Sequence, residues 1–182
     1  MDISELERFL LSRSSVRWYD ERDIPDTVIR QIISMATYAP SAGNRESWDV
    51  VIVTDEGLRE MLSDAAYNQE HVRKAPVLLV VSANYVRSMS RYGDRGILYA
   101  LLDATIAATY MMLAAHVLHL GTCWVSAFED ETVRSVLNLP QHIRPVTILT
   151  LGYGTEPGVS PPRMDIDWHV HSEQWFDKEQ EV

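Results

Sequence analysis

Residues 13–17 read Arg13-Ser14-Ser15-Val16-Arg17, which sets two guanidiniums and two hydroxyls within one short segment. A phosphate is held by such a set, because rigid cationic forks pair with small donors that approach closely. Taken alone, the segment reads first as a polar loop with solvated arginines. A second segment, Ala39-Pro40-Ser41-Ala42-Gly43-Asn44, ends a helix with proline and then offers small side chains and an amide. Small residues let a planar ring approach the backbone, and an asparagine donates and accepts at once. Here too the plainer reading of the isolated segment is a helix-terminating turn.

The remaining chemical groups make weaker patterns. Gly152-Tyr153-Gly154 is too short for a dinucleotide fingerprint, and it follows the last strand with no helix after it. His116 and His119 share a helix face, and His169 and His171 share one side of an extended segment. No carboxylate or cysteine spacing completes a metal site around either pair. No order of serine, histidine and aspartate and no nucleophile-elbow pattern is visible.

The composition narrows the classes. A chain of 182 residues with 46% hydrophobic and 23% charged residues is ordinary for one globular domain. Its formal net charge of -10 argues against nucleic acid, since no Lys/Arg-rich stripe offsets it locally. The single cysteine, Cys123, rules out an intrachain disulfide and a cysteine metal cluster. That usage, and an acidic N-terminus without an apolar stretch behind it, point to a cytoplasmic protein. Residues 97–118 are apolar over a bilayer's length but carry Asp103 in their midst, so they read as a buried central helix and not a membrane span.

These candidates need elements to position them. Pro25 and Asp26 open a helix with Val28, Ile29, Ile32, Ile33 and Ala36 on one face, ending before Pro40. Residues 50–53 and 77–81 are continuous apolar strands, and Thr54 or Asp55 caps the helix between them. The long helix stops at Gly121. A strand at 122–128, a helix at 130–139 and a strand at 146–151 follow. Strands that are apolar without alternation imply a sheet covered on both faces, and periodicity alone suggests a parallel one. The last thirty or so residues hold Trp168 and Trp175 but little periodicity, which suits a tail packed along a partner subunit.

In chain order, these segments resemble the FMN-dependent nitroreductase family. Arg13-Ser14-Ser15-Val16-Arg17 is similar to the family's N-terminal R-R/H-S-x-R/K motif. Ala39 to Asn44, with Trp48 and the strand behind it, resembles A-P-S-x-x-N-x-Q-P-W. Gln69, Ala75-Pro76, Asp103, Leu120 to Trp124, Leu151-Gly152-Tyr153 and Pro161-Pro162-Arg163 also match, so the likeness covers nearly the whole chain. One departure is Glu46-Ser47 where the family has Gln-Pro. A Glu46 that points inward would put a negative charge near the ring site and lower its potential or shift the substrate range, whereas one that faces the surface, paired with Arg45 or another base, would leave flavin binding little changed.

The resemblance implies an α+β fold: a three-layer sandwich with a mixed, mainly antiparallel sheet, replacing the parallel guess. It also implies one domain over 1–182, in which residues from about 153 onward extend onto the partner of an obligate homodimer. FMN would lie between the subunits. Arg13 and Arg163 would hold its phosphate, Ser14 and Ser15 the phosphate or ribityl oxygens, and Arg17 the pyrimidine end. Pro40, Ser41, Ala42 and Asn44 would come from the other subunit, Gln69 would bond the pyrimidine edge, and the backbone of Ser126 and Ala127 would approach N5. NAD(P)H, as diffusible reductant, would give hydride to N5. A small electron-poor acceptor such as a nitroarene or quinone would then take it in ping-pong order. No protein acid or base is compelled. Tyr67, Tyr92, Trp124 and Phe128 are candidates for the substrate pocket.

Overall fold

Eight consecutive residues of one strand, Val77–Asn84, are buried, and they explain the layering of the molecule. Side chains alternate across a strand. Val77, Leu79, Val81 and Ala83 therefore enter one core cluster, and Leu78 and Val80 enter another on the opposite face. The computed structural model, which describes residues 2–156 and 161–175, is a four-stranded sheet with helices on both faces.

The elements run α1 (Ile3–Ser12), α2 (Asp26–Met35), β1 (Trp48–Val53), α3 (Glu56–Ala65), α4 (Glu70–Lys74), β2 (Val77–Asn84), α5 (Tyr85–Tyr92), α6 (Arg95–Val117), β3 (Gly121–Val125), α7 (Asp130–Val136) and β4 (Ile143–Gly152). The sheet order is β1-β2-β4-β3, and every pair is antiparallel. The α+β expectation holds, and the parallel guess from periodicity fails. Burial on both faces reports covering helices and carries no information about strand direction.

Local chemistry explains the boundaries. Asp2 caps α1 in a reciprocal capping box with Glu5, and Asp55 caps α3 through the Leu58 amide. β4 begins at Ile143, earlier than its apolar run, and takes in Pro145, which has no amide hydrogen to donate, where the β2–β4 register slips between Val81 and Ser82. The long helix does not stop at Gly121. It ends at Val117, and His119 takes the left-handed conformation with φ 57°. Gly121 instead opens β3. A Cβ there would lie 2.7 Å from Val16 Cγ1, so the glycine lets residues 13–17 lie down on the strand.

The central helix α6 has two faces. Ala100, Ala104, Ala107, Ala108, Met111 and Ala115 are fully buried against the sheet and α2. Leu98, Leu102, Tyr110 and Val117 are exposed, as are Ile3, Leu10 and Leu11 of α1. By length and composition α6 could cross a bilayer. In the fold, its alanine face belongs to the core.

Candidate functional site

The Arg13–Arg17 segment is laid along the free edge of β3. The Val16 amide donates to the Thr122 carbonyl at 2.9 Å, Ser15 forms a parallel bridge with Thr122, and Tyr19 bridges Gly154. The Tyr19 hydroxyl anchors the end of the segment on Thr150 Oγ1 at 2.6 Å, and burial pushes that phenol far above its usual range. Extended backbone sends alternate side chains to one side. Arg13, Ser15 and Arg17 all act on the buried Cys123 thiol: burial raises it, while the Arg17 cation, a Ser15 hydrogen bond and the Arg13 cation draw it back. Ser14 does not join them. It lines a cavity of about 400 Å³ together with Ser12, Arg13, His116 and Gly154.

The two cations are unspent. Arg13 is half-buried and Arg17 exposed, and among the described residues no ion pair or hydrogen bond occupies either guanidinium. The chain nevertheless carries a net charge of -10. Such a pair suits a bound anion.

Near Arg17, Gln69 precedes α4. Its Nε2 donates to the Ala66 carbonyl at 2.9 Å and to the Ala127 carbonyl at 3.1 Å. The amide thus ties Gln69 to the exposed turn of Ser126 and Ala127, where Ser126 Oγ accepts from Trp124 Nε1 at 2.7 Å. Arg17, Gln69, Ser126 and Ala127 therefore belong to the same edge of the sheet. Only the Oε1 of Gln69 is left to face a ligand.

The second segment lies elsewhere. Pro40, Ser41, Ala42 and Asn44 precede β1, at the opposite edge of the sheet. With strands about 4.8 Å apart, three spacings separate the β1 and β3 edges by roughly 14 Å. The loop is fixed by a residue whose role the sequence left open. Asp103, 2 % exposed on α6, accepts from the Ala42 amide at 2.9 Å and from the Ser47 amide at 3.1 Å. The second bond exists only because Ser47 stands where the family has a proline, which has no amide hydrogen. Gly43 turns the loop at φ 56°, and its carbonyl accepts from Arg91 Nη1 at 3.2 Å.

The expected pairing of Glu46 with Arg45 is not formed. Arg45 donates to the Arg87 carbonyl and Ser90 Oγ, and among the described residues no ion pair engages Glu46. Glu46 is half-buried at φ 47°, and its carbonyl accepts from Arg87 Nη1 at 2.8 Å. Its backbone, not its charge, does the structural work.

Other candidates separate. Arg163 lies on an exposed segment outside the named helices and strands. The tail from about 153 falls partly outside the described residues, at 157–160 and 176–182. Phe128 is core, packed with Val125 and Val133. Tyr67 is exposed and donates to Glu129 at 2.9 Å, and Tyr92 packs edge-on against Tyr99. His116 bonds Ser12 Oγ at 2.8 Å, and no metal-binding group of His, Cys, Asp or Glu occurs among the described residues.

Known proteins with this arrangement are similar along their length. The chain is 28% identical over 185 residues to an NADH dehydrogenase of Thermus thermophilus, covering 86% of this chain and 90% of the relative. It is 24% identical over 192 residues to an FMN reductase [NAD(P)H] of Bacillus subtilis, covering 98% and 77%. Among solved structures, the NADPH:FMN oxidoreductase of Vibrio harveyi complexed with NAD+ superposes with a TM-score of 0.86 at 25% identity, covering 94% of this chain and 74% of that one. The Nitroreductase family model matches residues 10–70 and 59–153, and the chain belongs to that family.

Proposed function

We propose that this chain is an FMN-dependent oxidoreductase, passing hydride from NAD(P)H to a small electron-poor acceptor such as a nitroaromatic or a quinone. The observation that carries this reading is the unpaired state of Arg13 and Arg17 on the segment along β3, with Arg17 sharing a cavity with Glu70 and His71, next in sequence to Gln69. FMN, when bound, supplies the hydride-accepting N5 and the redox chemistry. Arg13 would hold the phosphate together with Arg163, with Ser14 and Ser15 on phosphate or ribityl oxygens. Arg17 would place a cation at the pyrimidine end, where it stabilises negative charge. Gln69 Oε1 would accept from the pyrimidine N–H, and the backbone of Ser126 and Ala127 would lie by N5.

The reading also requires a second subunit. Pro40, Ser41, Ala42 and Asn44 sit at the far edge of their own sheet, so a flavin held by Arg13 would meet them on a partner's chain. The exposed apolar residues of α1 and α6 support a homodimer, since such stripes are normally covered. The free edge of β1, with a groove lined by Ile33, Thr37, Val50 and Ile52, is suited to the partner's tail from about residue 153. One domain over 1–182 and a cytoplasmic location complete the proposal.

The test is a visible absorption spectrum of the purified chain, followed by NADH or NADPH without oxygen. A yellow protein that bleaches rapidly supports the enzyme. A yellow protein that stays yellow favours a flavin carrier, and a colourless protein that cannot take up FMN refutes the reading.

A further inference from the structure

His71, two residues beyond Gln69 on α4, has an unusual hydrogen-bond account. Its Nε2 is enclosed and has no partner. Among the described residues no hydrogen bond engages the ring, and of its two nitrogens Nε2 is the enclosed one, so Nδ1 is the open one. An orphaned N–H is rarer in proteins than an orphaned lone pair. The enclosed Nε2 is therefore the bare one, and the single proton of the neutral ring sits on Nδ1. Burial and the nearby Arg17 cation both hold the ring neutral. His71 lines a cavity with Arg17, Trp18, Tyr19, Glu70 and Lys74, so the ring shares that cavity with the Arg17 cation.

The chemistry of the neighbouring groups gives that donor a purpose. A flavin pyrimidine edge presents acceptor, donor and acceptor in order: two carbonyls flanking one N–H. Gln69 has spent both amide hydrogens on the Ala66 and Ala127 carbonyls, so it can only accept. Two ring carbonyls then need donors from other residues, and Arg17 can serve one of them.

We infer that His71 is a flavin-binding residue, donating through Nδ1–H to a pyrimidine carbonyl of the ring beside Arg17 and Gln69. The inference rests on the proposal that the chain binds FMN. It assigns the ring-edge contacts by chemistry: acceptor from Gln69, cationic donor from Arg17, neutral donor from His71.

The test compares FMN and riboflavin affinity by quenching of flavin fluorescence. His71→Phe should weaken both ligands alike, by roughly tenfold, because the lost bond is to the ring and not the phosphate. His71→Asn, whose amide nitrogen falls where Nδ1 lies, should recover most of the loss. His71→Gln, whose nitrogen falls at Nε2, should not. In the unaltered protein labelled with nitrogen-15 histidine, FMN should shift the His71 Nδ1 resonance, which guards against variants that misfold. Unchanged affinity in His71→Phe, or an unmoved Nδ1 resonance in a flavin-loaded protein, overturns the inference and leaves the flavin proposal standing. An unaltered protein that binds no flavin overturns both.

Discussion

The Asp103 carboxylate reaches from the middle of α6 to the amide of Ala42, 2.9 Å away, and its second oxygen takes the Ser47 amide. A buried helix and the small-residue loop before β1 are thereby fixed to one another. Both oxygens of a nearly fully buried carboxylate are used as acceptors from backbone donors.

Asp103→Asn should therefore be costly, because one oxygen becomes an NH₂ group aimed at an amide hydrogen. Leaving a buried donor without its acceptor costs about 1–3 kcal/mol. Urea unfolding should show a loss of that size with an unchanged slope. FMN affinity should fall as well if the loop serves a flavin. Native stability in Asp103→Asn would mean the loop is held by other contacts.

Arg13 and Arg17 are assigned to different ends of one ligand, and two ligands separate them. Arg13→Ala should weaken FMN by roughly ten- to a hundredfold and leave riboflavin, which lacks the phosphate, nearly unaffected. Arg17→Ala should weaken both by a similar factor. Equal loss of the two ligands in Arg13→Ala would remove that residue from the phosphate end.

Which of these relationships could be read from the chain alone depends on how local they are. The helix over Val28, Ile29 and Ile32 follows from residue periodicity, and the strands at 50–53 and 77–81 and the long helix over 97–118 follow from continuous apolar runs. Strand direction does not, because the Val77–Val81 run looks the same in parallel and antiparallel sheets. The short helices α4 and α5 carry too few apolar repeats to stand out. Of the site, Arg13, Ser15, Arg17 and Gln69 were legible as motif residues, but their sides were not. Ser14 and Ser15 are adjacent in sequence and face apart only because the segment is extended on β3. Asp103 was visible as a polar residue in an apolar run, yet its partners lie more than fifty positions away.

Two histidines set the pH dependence of stability. An imidazole in the unfolded chain titrates near 6.5, and burial lowers both His71 and His116 in the fold. Above that value both states are neutral and the fold keeps its full stability. As pH falls through it, the unfolded chain takes up protons that the native chain refuses, so stability falls with pH. The melting temperature of the chain should drop between about pH 7 and 5, the histidine range. The double variant His71→Asn, His116→Asn should flatten that drop. A slope that persists unchanged would assign it to other groups.

A site shared between subunits also permits complementation, which a site within one chain does not. Arg13→Ala damages the β3 edge, and Asp103→Ala damages the loop before β1. In either homodimer both flavin sites carry one defect. In a mixed dimer, one site combines the Arg13→Ala edge with the Asp103→Ala loop and is doubly damaged. The other combines the intact edge of one chain with the intact loop of its partner. Co-expressed chains carrying different affinity tags, purified through both, should therefore bind one FMN per dimer with the affinity of the unaltered protein. If each chain built its own site, every site in the mixture would remain defective and no high-affinity binding would return. The two damaged segments lie at opposite edges of the sheet, roughly 14 Å apart, and recovery in the mixed dimer is the outcome expected of a site shared between chains.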